Sequence, residues 1–319
     1  LSRQLSAISY QHIVQKLMAD SSKLTANSSF ISNHSSTYKS TLTMSVTISA
    51  ADVKKLRDMT GAGMSDCKNA LTEAEGDFDK AIENLRKKGQ KLSLKRADRE
   101  TTEGCVLALV SADKTRGVIV KLSCETDFVA KNEDFIALTR SFAESALENY
   151  PATLEALLAL PYEDITIGEK AIEQVGVIGE KIDVTYEHLE AAMVCPYIHM
   201  GNKAGVLVGL SKADANFYDA GRDVAMQVAA MHPIALDKDD VDATIVEKEI
   251  EIGKELARNE GKPEEMLEKI ALGRLNKFYK ESTLVNQDFV KDNKLTISAY
   301  LKSLDKDLVA TGFKHVKLG

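Results

Sequence analysis

From Gly104 the chain reads GCVLALVSADKTRGVIVKLSC: two runs dense in Val, Leu and Ile, separated by Ala112, Asp113 and Lys114. Apolar, β-branched runs bounded by turn residues are strands. A connection this short joins antiparallel neighbours, because a parallel pair needs a crossover of a dozen or more residues. A capped helix, NEDFIALTRSFAESAL (Asn132 to Leu147), follows at once. The chain is thereby committed to an α+β fold with antiparallel sheets. Further on, KIDVTYEHLEAAMV, PYIHMGNKAGVLVGLS and the helix DANFYDAGRDVAMQVAAMH repeat the order strand, strand, helix. Segments 104–147 and 182–232 therefore read as two related halves of one core, 103–181 and 182–237. A connecting region with one or two short helices lies between them.

Before the core, TISAADVKKLRDMTGAGMSDCKNALTEAEGDFDKAIENLRKKG has helical spacing interrupted by glycines. Ser49 caps a first helix carrying Val53, Leu56 and Met59. Thr60 to Gly63 break it, and Ser65 opens a second helix with Cys67, Ala70, Leu71 and Ala74. Asp77 caps a third with Phe78, Ala81, Ile82 and Leu85, closed by Gly89. Three short helices over 45–89 make a bundle near the lower size limit for a folding unit. Arg86 to Arg99 holds seven basic residues against one acid. Its position, continuing over 90–102 between bundle and core, makes it a solvated linker rather than a phosphate-binding arm. After the core, 238–281 reads as two charged helices around NEGKP (Asn259 to Pro263). Val241, Ile245, Ile252 and Leu256 recur at heptad-like spacing. So short a turn makes an antiparallel helical hairpin. Residues 282–319 return as a helix and a strand. Residues 1–43 differ from the rest: Ser/Thr-rich, with Asp20 the only acid before Met44. They loosely resemble a transit peptide and read as a disordered leader or a mis-assigned start.

Composition narrows the function. A net charge of −7 repels phosphate backbones, so nucleic acid is a poor partner. No run reaches the eighteen or so apolar residues of a membrane helix. The four cysteines, Cys67, Cys105, Cys124 and Cys195, are scattered without metal-ligand spacing, as expected of reduced cytosolic thiols. The chain has no Walker phosphate loop, nucleophile elbow or zinc motif. TGAGMSDCK begins like a dinucleotide fingerprint, but Asp66 stands at the third glycine and no strand precedes it. Cys195 and His199 in CPYIH could pair as nucleophile and base. Four residues of strand, however, put them roughly 13 Å apart. No cofactor, metal or catalytic residue is called for, and no enzyme.

One stretch resists a bland reading. CETDFVAKNEDF, Cys124 to Phe135, places Phe128 at the tip of a strand-to-helix connection, where polar residues are the rule. Phe128 is either an anchor for that turn or a contact for something outside it. Together with LRDMTGAGMSDCKNALTEAEGDFDKAIENLRKKG, VAMQVAAMHPIAL and VEKEIEIGKELARNEGKPEEMLEKIALGRLNKFYKES, this motif resembles bacterial elongation factor Ts. That family comprises the guanine-nucleotide exchange factors of elongation factor Tu. The resemblance runs from Ser45 to the C-terminus.

It implies a ubiquitin-associated-like three-helix domain, a two-part core, a helical hairpin and a cytoplasmic, non-enzymatic role in translation. It also implies that Thr126, Asp127, Phe128 and Val129 enter the G domain of elongation factor Tu near its Mg²⁺. Arg57, Met64, Gly179 and His199 match further partner-contact positions. Some members continue past the last strand into a helix that grips the G domain; with Gly319 following GFKHVKL, that contact is expected to be absent. The competing reading is an adaptor that uses the three-helix domain to bind an extended or ubiquitin-like partner and would have no need of TDFVA.

Overall fold

The computed structural model describes residues 47–319; the segment read as a leader lies outside them. In chain order come α1 (Ala50–Thr60), α2 (Met64–Glu73), α3 (Phe78–Lys95), β1 (Glu103–Val110) and β2 (Arg116–Cys124). A single turn of helix, α4 (Asp127–Ala130), precedes α5 (Glu133–Asn149), α6 (Leu154–Leu158), β3 (Pro161–Tyr162), β4 (Ile165–Thr166) and α7 (Ile167–Ile178). Then follow β5 (Asp183–Glu190), β6 (Met193–His199), β7 (Ala204–Leu210) and α8 (Tyr218–Met231). The chain ends with α9 (Ala243–Asn259), α10 (Glu264–Ser282), β8 (Asp288–Phe289), β9 (Asp292–Thr296), α11 (Ile297–Leu304) and β10 (Ala310–Lys317). The fold is α+β. Among the described residues no helix is long and apolar enough to cross a membrane.

Two compact units emerge. The first holds the residues up to Thr102 with Ser123–Val129 and Pro151–Thr185. The second holds Glu103–Leu122, Ala130–Tyr150 and Tyr186–Gly319.

In the first unit, α1 to α3 close over a small core of Val53, Leu56, Ala62, Cys67, Ala70, Leu71, Ala74 and Ala81. Ser49 caps α1 in a full capping box with Asp52, and Gly61 ends it in the left-handed region at φ 69°. Three expectations need correction. Met59 does not join the core; it is 56 % exposed. Ser65 lies inside α2, which Gly63 opens without a side-chain cap. Gly89 does not end α3, which runs on to Lys95, so the expected linker begins as helix. The reason is packing: α3 crosses α7 there, and a Cβ added to Gly176 would sit 3.0 Å from the Gly89 Cα. Glycine at both positions lets the two backbones touch.

In the second unit β6, β7 and β10 form an antiparallel sheet, with His199 opposite Ala204 and Lys317 also paired to Ala204. β5 departs from the expected half-and-half division, since the other three-stranded sheet has the order β1-β2-β5. The stretch read as one strand, PYIHMGNKAGVLVGLS, is a hairpin. Met200, Gly201 and Asn202 all take positive φ (46°, 64° and 67°) and reverse the chain. α8 lies over the β6–β7–β10 sheet, burying Val224, Ala225 and Val228 against Cys195, Val206 and Val208. The buried Gln227 amide donates to Gln287 Oε1 and the Asp288 carbonyl, each at 3.1 Å, and accepts from the Val290 N–H at 2.9 Å.

The hairpin α9–α10 also departs from its heptad reading. On α9 the seam is made of small residues, Gly253 and Ala257, and Leu267, Ala271 and Leu275 are buried on the other helix. A Cβ on Gly253 would lie 3.0 Å from the Ala271 Cα, so at that crossing the helices approach too closely for a side chain on Gly253. Ile245, Ile252 and Leu256 consequently face outward, at 37 %, 38 % and 45 % exposure.

Candidate functional site

The site is built where β2 gives way to α4, in the first unit. β2 is buried to its end, through Ser123 and Cys124. The Cys124 thiol donates to the Thr126 carbonyl at 3.2 Å. The chain then makes one helical turn, Asp127 to Ala130. Thr126, Asp127 and Val129 are half-buried, whereas Phe128 is 84 % exposed. The other phenylalanine of the motif, Phe135, is 3 % exposed. Phe128 therefore does not anchor its turn.

The turn is fixed instead by a carboxylate 54 residues away. Glu180 Oε2 accepts the N–H groups of Glu125 and Thr126 at 2.9 and 3.0 Å, and Oε1 accepts the Thr126 hydroxyl at 2.6 Å. Glu125 answers in kind: its Oε1 accepts the Lys181 N–H and an Arg96 guanidinium N–H, both at 2.7 Å. Burial pushes the Glu125 carboxyl up, but the Lys181 N–H and the Arg96 charge outweigh it and hold the group below the usual carboxylate range. Lys181 Nζ donates to the carbonyls of Ala97 and Arg99 at 2.9 and 3.0 Å, just beyond the end of α3.

Gly179 sets this up. It ends α7 at φ 81°, with its N–H on the Val175 carbonyl at 2.9 Å. A Cβ there would meet nothing within 4 Å, so the demand for glycine is conformational. Arg57 lies exposed in the last turn of α1, and Met64 opens α2 at 43 % exposure. Both belong to the same compact unit as the turn and take no part in its hydrogen-bond network.

His199 ends β6 in the second unit, half-buried, its Nδ1 2.9 Å from the Tyr197 hydroxyl oxygen. The nucleophile–base idea fails here. Cys195 is wholly buried, and burial raises its thiol to about 12, so no thiolate forms near neutrality.

Beyond His199, the rings of His232 and His315 stack with centroids 5.1 Å apart. Burial first, then the charges of His232 and Lys317, push His315 down to about 4. A free histidine titrates near 6.5, so the unfolded chain takes up this proton first as pH falls. Stability from His315 is complete above about pH 6.5 and is lost toward pH 4, by about 2 kcal/mol after allowance for partial exposure. His315→Gln should accordingly shrink the drop in Tm between pH 7 and pH 4.5. An unchanged drop would place the acid sensitivity elsewhere.

Sequence reading found the turn but missed Glu180, Glu125, Arg96 and Lys181, whose roles depend on which distant segments meet. An apolar ring held out on a rigidly hydrogen-bonded turn is surface suited to burial against a second protein. The family model for elongation factor TS matches residues 125–319. Elongation factor Ts of Flavobacterium psychrophilum is 54 % identical over 274 residues, 86 % of this chain and 99 % of that protein. That of Cytophaga hutchinsonii is 55 % identical over 275 residues, covering 85 % and 99 % respectively. The chain belongs to the elongation factor Ts family.

Proposed function

We propose that this protein is the guanine-nucleotide exchange factor of elongation factor Tu, and that Phe128 is its wedge. The observation that carries the reading is a phenylalanine 84 % exposed at the tip of a braced turn. Folding leaves about 1.5–3 kcal/mol of apolar burial unused at such a ring. A partner that takes the ring into its interior gains that burial and must rearrange, because a close-packed interior cannot simply compress.

The GDP and the Mg²⁺ belong to the partner. Mg²⁺ holds its ligands in near-ideal octahedral geometry and tolerates little displacement. Thr126 to Val129 enter beside it, shift its surroundings and speed GDP release, after which GTP rebinds. One ring does not offset tight GDP binding, so a wider interface is needed. Arg57 and Met64 on the helical bundle, Gly179 beside the turn and His199 on the core contribute to it. The three short N-terminal helices are ubiquitin-associated-like in this reading, the factor is not an enzyme, and its setting is the cytoplasm. An adaptor would have no use for the Phe128 turn. Because the factor prefers the nucleotide-free state, nucleotide must weaken its binding by the same factor.

The test is stopped-flow release of a fluorescent GDP from elongation factor Tu, with and without saturating factor. Strong acceleration is expected. No acceleration by correctly folded protein would end the exchange-factor reading.

A further inference from the structure

We infer that Glu180 is a positioning residue for nucleotide exchange: it holds the turn that aims Phe128, an assignment that rests on the exchange-factor reading. An exposed ring has no packing of its own to orient it, so its direction is set by the backbone beneath. Two of the N–H groups at the base of that turn and the Thr126 hydroxyl all go to one carboxylate, that of Glu180. Three bonds from one rigid group fix the chain at residues 125 and 126. Their loss frees the turn to rotate without unfolding anything larger.

The bracing is reciprocal. Glu125 holds the Lys181 N–H, so the two segments grip each other through side chain and backbone in both directions. Lys181 Nζ and the Arg96 guanidinium then tie the pair to the chain leaving α3. A wedge transmits force only if its base does not yield, and a turn ordered before binding avoids an ordering cost at the moment of binding. Glu180 does this without itself needing to touch the partner's nucleotide.

The experiment uses the full chain and has two readouts. In the absence of any partner, Glu180→Ala should speed amide hydrogen exchange across residues 125–130 while leaving α1, α2 and α8 protected. Unchanged exchange in the turn would overturn the assignment whatever the activity. With elongation factor Tu, Glu180→Ala at saturation should lower the maximum GDP release rate by about tenfold, the order expected when a braced contact must be ordered on binding. The half-saturating concentration should change less.

Glu180→Gln preserves all three bonds, its amide oxygen accepting both N–H groups and its NH₂ donating to the Thr126 hydroxyl. It should therefore keep most of the parent rate. In a Phe128→Ala background, Glu180→Ala should cost much less than in the parent, since most of its effect runs through the ring. A full, independent loss there would show a general structural role and overturn the proposal. A Glu180→Ala rate equal to that of an active parent would refute it alone, whereas an inactive parent removes the exchange reading with it. Should Glu180→Ala fold poorly, Thr126→Val, which deletes only the hydroxyl's bond, should speed amide exchange in the same turn to a smaller extent in the absence of any partner, and unchanged exchange there would count against the assignment.

Discussion

Phe128→Ala is expected to leave the protein folded and to remove most of its proposed acceleration of GDP release from elongation factor Tu. Both halves of this outcome follow from one number, the 84 % exposure of the ring. A side chain that folding does not bury contributes little to stability, so the variant should stay within about 0.5 kcal/mol of the parent. Its Tm should move by no more than about 2 °C. Activity behaves oppositely. If the ring is buried only in the complex that has lost nucleotide, its 1.5–3 kcal/mol of burial belongs wholly to that state. Each 1.4 kcal/mol is a factor of ten, so the maximum release rate should fall by about tenfold to a hundredfold. Phe128→Leu, which keeps an apolar but smaller wedge, should lie between. Equal maximum rates for parent and Phe128→Ala would leave exchange in place and move its mechanism to another part of the interface.

What could be read in advance divides along a physical line. Ser49, Gly61, Asp77 and Asn132 act on their own neighbours, and each ends or begins a helix where local chemistry puts it, except that α3 ignores Gly89. The exception is instructive. Gly89 carries a stop signal locally, but α7 needs its missing side chain more, and tertiary contact prevails. The same competition defeated the heptad reading of α9, where spacing marks Ile245, Ile252 and Leu256 although the partner helix fits only against Gly253 and Ala257. At the site, the oddity of Phe128 was visible because a phenylalanine at a turn tip breaks a local rule. Glu180 broke none. An acid after a helix-ending glycine is unremarkable until the segment 54 residues upstream folds beneath it.

The largest effect on stability is expected in the second unit, at Gly221 of α8. A methyl group built there overlaps the Cys195 sulfur, lies 2.9 Å from the Cys195 Cβ and sits 3.1 Å from a Leu210 methyl. None of these neighbours has room to withdraw, since Cys195 and Leu210 are both wholly buried in the sheet. The helix must lift instead, and lifting it loosens Val224, Ala225 and Val228 from the strands beneath. For Gly221→Ala, overpacking of about 1–3 kcal/mol is opposed by about 1 kcal/mol of better helix propensity. Gly221→Val carries more bulk and less propensity, and should lose about 3 kcal/mol or more. Thermal melts would show the second clearly, at about 1.5 °C per kcal/mol for a chain of 319 residues.

The cause is tested by pairing Gly221→Ala with Cys195→Ala. Removing the sulfur takes away the closest obstacle, so the double variant should be more stable than the sum of the single losses by about 1–2 kcal/mol. Strict additivity would mean that the helix is held down by something other than its fit over Cys195. Exchange activity, measured below the melting range, should follow folding alone in this series. The cysteine whose spacing to His199 suggested chemistry is, on this account, a packing surface for α8.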